Sequence, residues 1–182
     1  MIRRLACALA LVLSAGSAAS CAPADDSSST TGDSPTTLLA FATTFKGFRT
    51  WNAYPVEHPT SNVVHLAGPR TEYINKLPPD GSKSFPVGTI IVKEMDDGAL
   101  ADRKIFAMVK RGGGYNSEGA KDWEWFELQN LDEASVKIIW RGVGPPAGEM
   151  YGGDPNASCN SCHKTAAAND FVQSTELSLS NF

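Results

Sequence analysis

Near the C-terminus, Cys159-Asn160-Ser161-Cys162-His163 sets two thiols three positions apart, with a histidine directly after the second. On a helix, positions i and i+3 are neighbours on one face, so both thiols would point the same way. Four chemistries use such a set: thioether attachment of haem, a redox dithiol, half of a zinc site and a structural disulfide. The C-x-x-C-H run is the attachment signature of c-type haem. Two thiols one turn apart reach the two vinyl groups, and the following histidine supplies an axial nitrogen to iron. A redox dithiol usually follows a strand in a thioredoxin-like βαβ pattern, which is absent before Cys159. Zinc would need further ligands, and His58 and His65 have no ligand spacing. One covalent haem c per chain is therefore expected, bound by Cys159 and Cys162, with His163 as the metal ligand.

The position of the motif carries further information. Small electron-carrier cytochromes place it near the N-terminus and supply a methionine from downstream. Here no methionine follows His163; Met95, Met108 and Met150 all precede it. The second axial position is then open, which suits binding or reaction of a small ligand better than electron transfer alone. A four-helix cytochrome also carries its motif late, but eleven prolines and a β-rich middle contradict a bundle.

The elements that must position these residues begin after an N-terminal address label. Arg3 and Arg4 precede the apolar run Leu5 to Leu13, and small residues follow. This is the layout of a secretory signal, read as residues 1–20. Ala18-Ala19-Ser20-Cys21 resembles a bacterial lipobox, with Cys21 as the lipidated first residue of the mature chain; ordinary signal cleavage is the competing reading. Residues 21–37 form a Ser/Thr/Asp/Pro tether that cannot bury anything, and residues 38–182 form the single haem-binding domain. The expected location is the periplasm, with the lipid at Cys21 anchoring the chain to the bacterial outer membrane. Sixteen Lys and Arg against twenty Asp and Glu give −4. Loss of Arg3 and Arg4 leaves fourteen against twenty, or −6. Such acidity argues against nucleic-acid binding, which needs a clustered basic face.

Within the domain, 38–48 has apolar residues at helical spacing and predicts a short amphipathic helix. Arg49 to Tyr54 begins an extended segment, and Pro55 and Pro59 enforce a loop. Asn62 to Leu66 reads as a strand. Pro69 opens a helix that 71–77 continues. Strands are expected at 89–95, 105–110, 123–128 and 136–140 from β-branched and aromatic content, and 142–155 is a Gly/Pro-rich loop. Trp51, Trp123, Trp125, Trp140 and Phe106 read as core. Phe106 or Phe85 could instead cap an apolar distal pocket.

Several blocks together resemble the mainly β c-type cytochromes of the cytochrome P-460 and cytochrome c-prime-beta group, over roughly residues 45–175. They are Tyr73-Ile74-Asn75-Lys76, Phe85 to Glu94 (FPVGTIIVKE), Met108-Val109-Lys110, Trp123 to Phe126, and the haem motif followed by Asn169-Asp170-Phe171-Val172. The group usually has Asp where Val87 stands. The resemblance implies an α+β, mainly β fold: an antiparallel sheet packed with a few short helices, haem near the C-terminal helix, and often a homodimer. In hydroxylamine-oxidising members a lysine is joined to the haem edge, and Lys93 matches it. The implied function is oxidation of hydroxylamine to NO or nitrous oxide at a five-coordinate haem, with electrons leaving to a soluble cytochrome. The alternatives are an NO- or gas-binding cytochrome without the cross-link, and a plain electron carrier ligated by Met150 or a histidine. A carboxylate should take up protons; Asp154 and Glu149, in the loop before the motif, are the candidates. Strand alternation places Thr89, Ile91 and Lys93 on one face. The competing reading of Lys93 is a surface Lys93–Glu94 pair at the strand's end, with both side chains in water.

Overall fold

Six strands each pair antiparallel with the next in sequence, so chain order and sheet order coincide. They are β1 (Asn52–Val56), β2 (Arg70–Ile74), β3 (Ile90–Met95), β4 (Ile105–Lys110), β5 (Trp123–Asn130) and β6 (Val136–Gly142). The one α-helix among the described residues, α1, is Cys159–His163, and short 3₁₀ turns account for the other helical residues. The computed structural model describes residues 37–57, 68–96, 98–145 and 158–182. The expected signal peptide at 1–20, the tether up to residue 36, the strand at 62–66, both His58 and His65, and the 146–155 part of the expected loop lie outside the described residues. No helix among the described residues is long and apolar enough to cross a membrane.

Period-2 alternation divides the sheet into two apolar faces. Ile90, Val92, Ile105, Ala107, Val109, Phe126, Leu128 and Val136 pack against Phe45 and Phe48 from the N-terminal 3₁₀ turns. The other face carries Ile74, Ile91, Met108, Trp123 and Trp125, covered by Phe85 and by the C-terminal residues Val172, Leu177 and Leu179. Phe45 is fully buried and meets Phe126 edge-on, with 5.2 Å between ring centres. Truncating such a ring to Ala costs about 3–5 kcal/mol.

The mainly β, antiparallel class and the four strands from 89 onward agree with the sequence. Three expectations need correction. The helix expected at 38–48 is two 3₁₀ turns, Ala42–Phe45 and Phe48–Thr50. The start of that segment is already engaged by the sheet: Thr37 bridges Gly112, and Leu38 N–H donates to the Arg111 carbonyl at 2.8 Å. Gly47, at φ 69°, then interrupts any helix. The helix expected from Pro69 is strand β2. Its residues Arg70, Glu72 and Ile74 alternate with Thr71 and Tyr73, and β1 and β3 pair with it on both sides. That tertiary pairing outweighs local helix signals. Pro55 lies in β1, not in a loop. Among the described strands β1 pairs only with β2, and an edge position tolerates the missing N–H.

Candidate functional site

The Cys159–His163 residues form α1 because Ser158 caps it. Ser158 Oγ accepts the Ser161 N–H at 3.1 Å, and Ser161 Oγ accepts the Ser158 N–H at 3.0 Å, a reciprocal cap that satisfies two amides at the helix start. Cys159 and Cys162 are half-buried, neither is in a disulfide, and one turn separates them.

Asn160, between the cysteines, docks the helix on the sheet. Its Oδ1 accepts from Asn116 Nδ2 at 2.7 Å and from Trp125 Nε1 at 3.0 Å. Its Nδ2 returns a bond to Asn116 Oδ1 at 2.9 Å. The approach is close enough to exclude a side chain at Gly119, where a Cβ would stand 2.3 Å from the Asn160 amide. At the other end of α1, the Cys162 carbonyl accepts from Thr165 Oγ1 at 2.8 Å and from Gln173 Nε2.

His163 is held on two sides. Its Nδ1 lies 2.6 Å from the Phe171 carbonyl oxygen, and its ring centre is 4.4 Å from that of Trp125. A carbonyl can only accept, so Nδ1 is the protonated nitrogen. In the neutral ring the lone pair is then on Nε2, the tautomer a metal-binding histidine needs.

The sheet face under α1 bears one continuous rung across all six strands. Cross-strand partners run Tyr54, Glu72, Lys93, Phe106, Glu127 and Trp140. Lys93 is half-buried, with Nζ 5.2 Å from the centre of the Phe106 ring. Burial is the main cause that lowers its amine to about 8; the nearby Arg70 adds to this, while Glu72, Cys159 and Cys162 oppose it. The two thiols of α1 and the Lys93 amine therefore share one environment. Burial pushes the Cys159 thiol up to about 11, only partly offset by a backbone hydrogen bond and by Lys93.

The surface Lys93–Glu94 pair is overturned. Glu94 is fully buried on the opposite face, where Arg49 grips both its oxygens, at 3.1 Å (Nε) and 2.5 Å (Nη2). Phe85 does not line the rung; it is a core residue edge-on to Trp123 at 6.0 Å. Phe106 and Trp140, read as core, stand on the rung half-buried. The candidate acids Glu149 and Asp154, and the candidate ligand Met150, lie outside the described residues.

The structure adds carboxylates that the sequence did not single out. Glu72 accepts from Arg70 Nε at 2.9 Å and from Ser174 Oγ at 2.5 Å. Glu127 accepts from Trp140 Nε1 at 2.6 Å. The acidic–aromatic alternation of Trp123 to Leu128 was the available signal for Glu127; the bond from Trp140, on the next strand, was not visible in it. Among the described residues, no group of three or more His, Cys, Asp or Glu side chains could hold a metal ion. No family model matches the chain, and no curated protein or solved structure matches it either.

Proposed function

We propose that the chain is an exported mono-haem protein of the cytochrome P-460 type that oxidises hydroxylamine to NO or nitrous oxide. The observation that carries this reading is the convergence of Cys159, Cys162 and Lys93 on one environment, with His163 fixed beside them as its Nδ1–H tautomer.

The residues present fit a haem by their chemistry. Two unpaired thiols share a helical face. The histidine presents a lone pair on Nε2. The surroundings supply aromatic surface from Trp125, Phe106 and Trp140. A redox dithiol fits less well: reactive thiols have lowered pKa values, and that of Cys159 is raised.

Bound there, haem would supply a redox-active iron with one open position for a small nitrogenous ligand. His163 would ligate the metal through Nε2. Lys93 is the residue we assign to the haem edge. Burial lowers its amine to about 8, which enlarges the neutral fraction able to bond to carbon; that bond would replace one amine N–H and one haem C–H, with two electrons and two protons leaving to a two-electron oxidant such as a peroxide. Glu127, beside Phe106 on the rung, is the carboxylate we assign to receive substrate protons, with Trp140 Nε1 fixing one of its oxygens. The electrons would pass to a soluble cytochrome, and the chain would sit in the periplasm, anchored through lipid at Cys21, in some states as a homodimer.

A gas-binding cytochrome without the cross-link is the second reading. The contact of Lys93 Nζ with the Phe106 ring favours it, since it gives an unlinked ammonium an aromatic partner. Both readings share the first test. Intact mass of the chain exported from a host that attaches c-type haem should exceed the polypeptide by one haem. Cys159→Ala/Cys162→Ala should lose that increment. A wild-type mass without haem would overturn both readings.

A further inference from the structure

The segment that follows α1 makes two consecutive residues left-handed. Asp170 has φ 50° and Phe171 has φ 68°. Neither is glycine, and such conformations persist only where the surroundings impose them. The surroundings here are specific. The Asp170 carboxylate is buried, accepting Lys110 Nζ at 2.7 Å on one oxygen and the Phe85 N–H at 2.9 Å on the other. The Asp170 carbonyl accepts Trp123 Nε1 at 2.8 Å. Lys110 is buried as well, with Nζ 5.1 Å from the centre of the Trp123 ring. Three groups from the sheet and its loops thus hold one residue of a turn whose next carbonyl, that of Phe171, meets His163 Nδ1.

We propose that Asp170, clamped by Lys110, Phe85 and Trp123, is a positioning residue that holds the Phe171 carbonyl on His163 Nδ1. It thereby fixes the tautomer and the donor strength of the axial histidine. The inference rests on the haem reading above. Asp170 does not touch the metal position; it acts through the backbone turn. The short bond from Nδ1–H to a carbonyl raises the basicity of the ring and its donation to a metal, so releasing the turn should weaken that donation.

Two double variants test this on the haem-loaded protein. Both replace Lys110 with Met, so that no buried ammonium is left unpaired; exchange of a buried ion pair for neutral side chains is often tolerated. Lys110→Met/Asp170→Ala removes the carboxylate and puts Ala, which resists a positive φ, in the turn. Its iron–histidine stretching band, read by resonance Raman on the reduced protein, should move to lower frequency, and its midpoint potential should rise. Lys110→Met/Asp170→Asn keeps a side chain that accepts the left-handed region and can still accept the Phe85 N–H. It should return both readouts toward wild type. An unmoved band in the Ala variant would overturn the proposal, even with a lowered melting temperature. Equal shifts in both variants would place the effect on charge, not the turn, and would overturn it too. Wild-type protein without covalent haem would instead remove the reading beneath it, an outcome distinguishable from the others by mass alone.

Discussion

Lys93 stands directly across from Phe106 in the β3–β4 ladder, its Nζ 5.2 Å from the ring centre, on the face that the Cys159–His163 helix covers. Burial on that face is what lowers its amine. Its strand neighbour Glu94 points the other way and is sealed beneath Arg49. Adjacent residues on one strand thus serve two separate purposes, one at the candidate site and one in the core.

The lowered amine predicts a pH signature. In the unfolded chain Lys93 binds its proton up to about 10.5, and in the fold only up to about 8. Between those values the unfolded state holds more protons, so the buried ammonium is a penalty on stability that is complete below about 8 and fades as pH rises to about 10.5. Lys93→Met removes the penalty. In chain prepared without haem, the variant should exceed wild type by up to about 3 kcal/mol at pH 7, with the gap closing as pH approaches 10.5. Urea denaturation at several pH values measures it, and a gap independent of pH would contradict the assignment.

Arg49 supplies a control on the opposite face. Glu94 has no exposure, and Arg49 also bonds Asn130 Oδ1 at 2.6 Å. Arg49→Leu leaves a buried carboxylate without its bidentate partner, a change that costs about 3–5 kcal/mol. Thermal or urea unfolding should show that loss. The haem spectrum of the protein that remains folded should match wild type.

Asn160 and Gly119 should behave as one unit. Gly119→Ala drives a Cβ into the Asn160 amide, and Asn160→Ala removes the bonds from Asn116 and Trp125. Each alone should destabilise by about 1–3 kcal/mol. In the Asn160→Ala background the Gly119 substitution should cost less, because the nearer obstacle is gone and only Asn116 Oδ1, 2.6 Å from the added Cβ, still has to move. A double-mutant cycle with additive costs would show that the two residues are not coupled.

These relationships also mark what could be read before any coordinates. Strands β3 to β6 were legible because Val, Ile and aromatic residues dominate them, and period-2 alternation placed Ile91 and Lys93 on one face as observed. Strand β2 was misread because Pro69 and a polar, mixed sequence mimic a helix start, while its pairing with β1 and β3 is a long-range fact. Spacing alone put Cys159, Cys162 and His163 on one short helix, as observed. What orients them was not legible: the Phe171 carbonyl, the Asn116 amide and the Lys110–Asp170 pair act across 8 to 60 positions of sequence, and a backbone oxygen leaves no residue-type signal at all.

The most direct measurement is the absorption spectrum of the reduced wild-type protein beside that of Lys93→Ala, each paired with an intact mass that establishes one haem. The account predicts a strongly red-shifted Soret band in the wild type and an ordinary c-type band in Lys93→Ala. An ordinary c-type spectrum in the wild type would contradict the cross-link and leave the gas-binding reading; a six-coordinate, low-spin spectrum would contradict both.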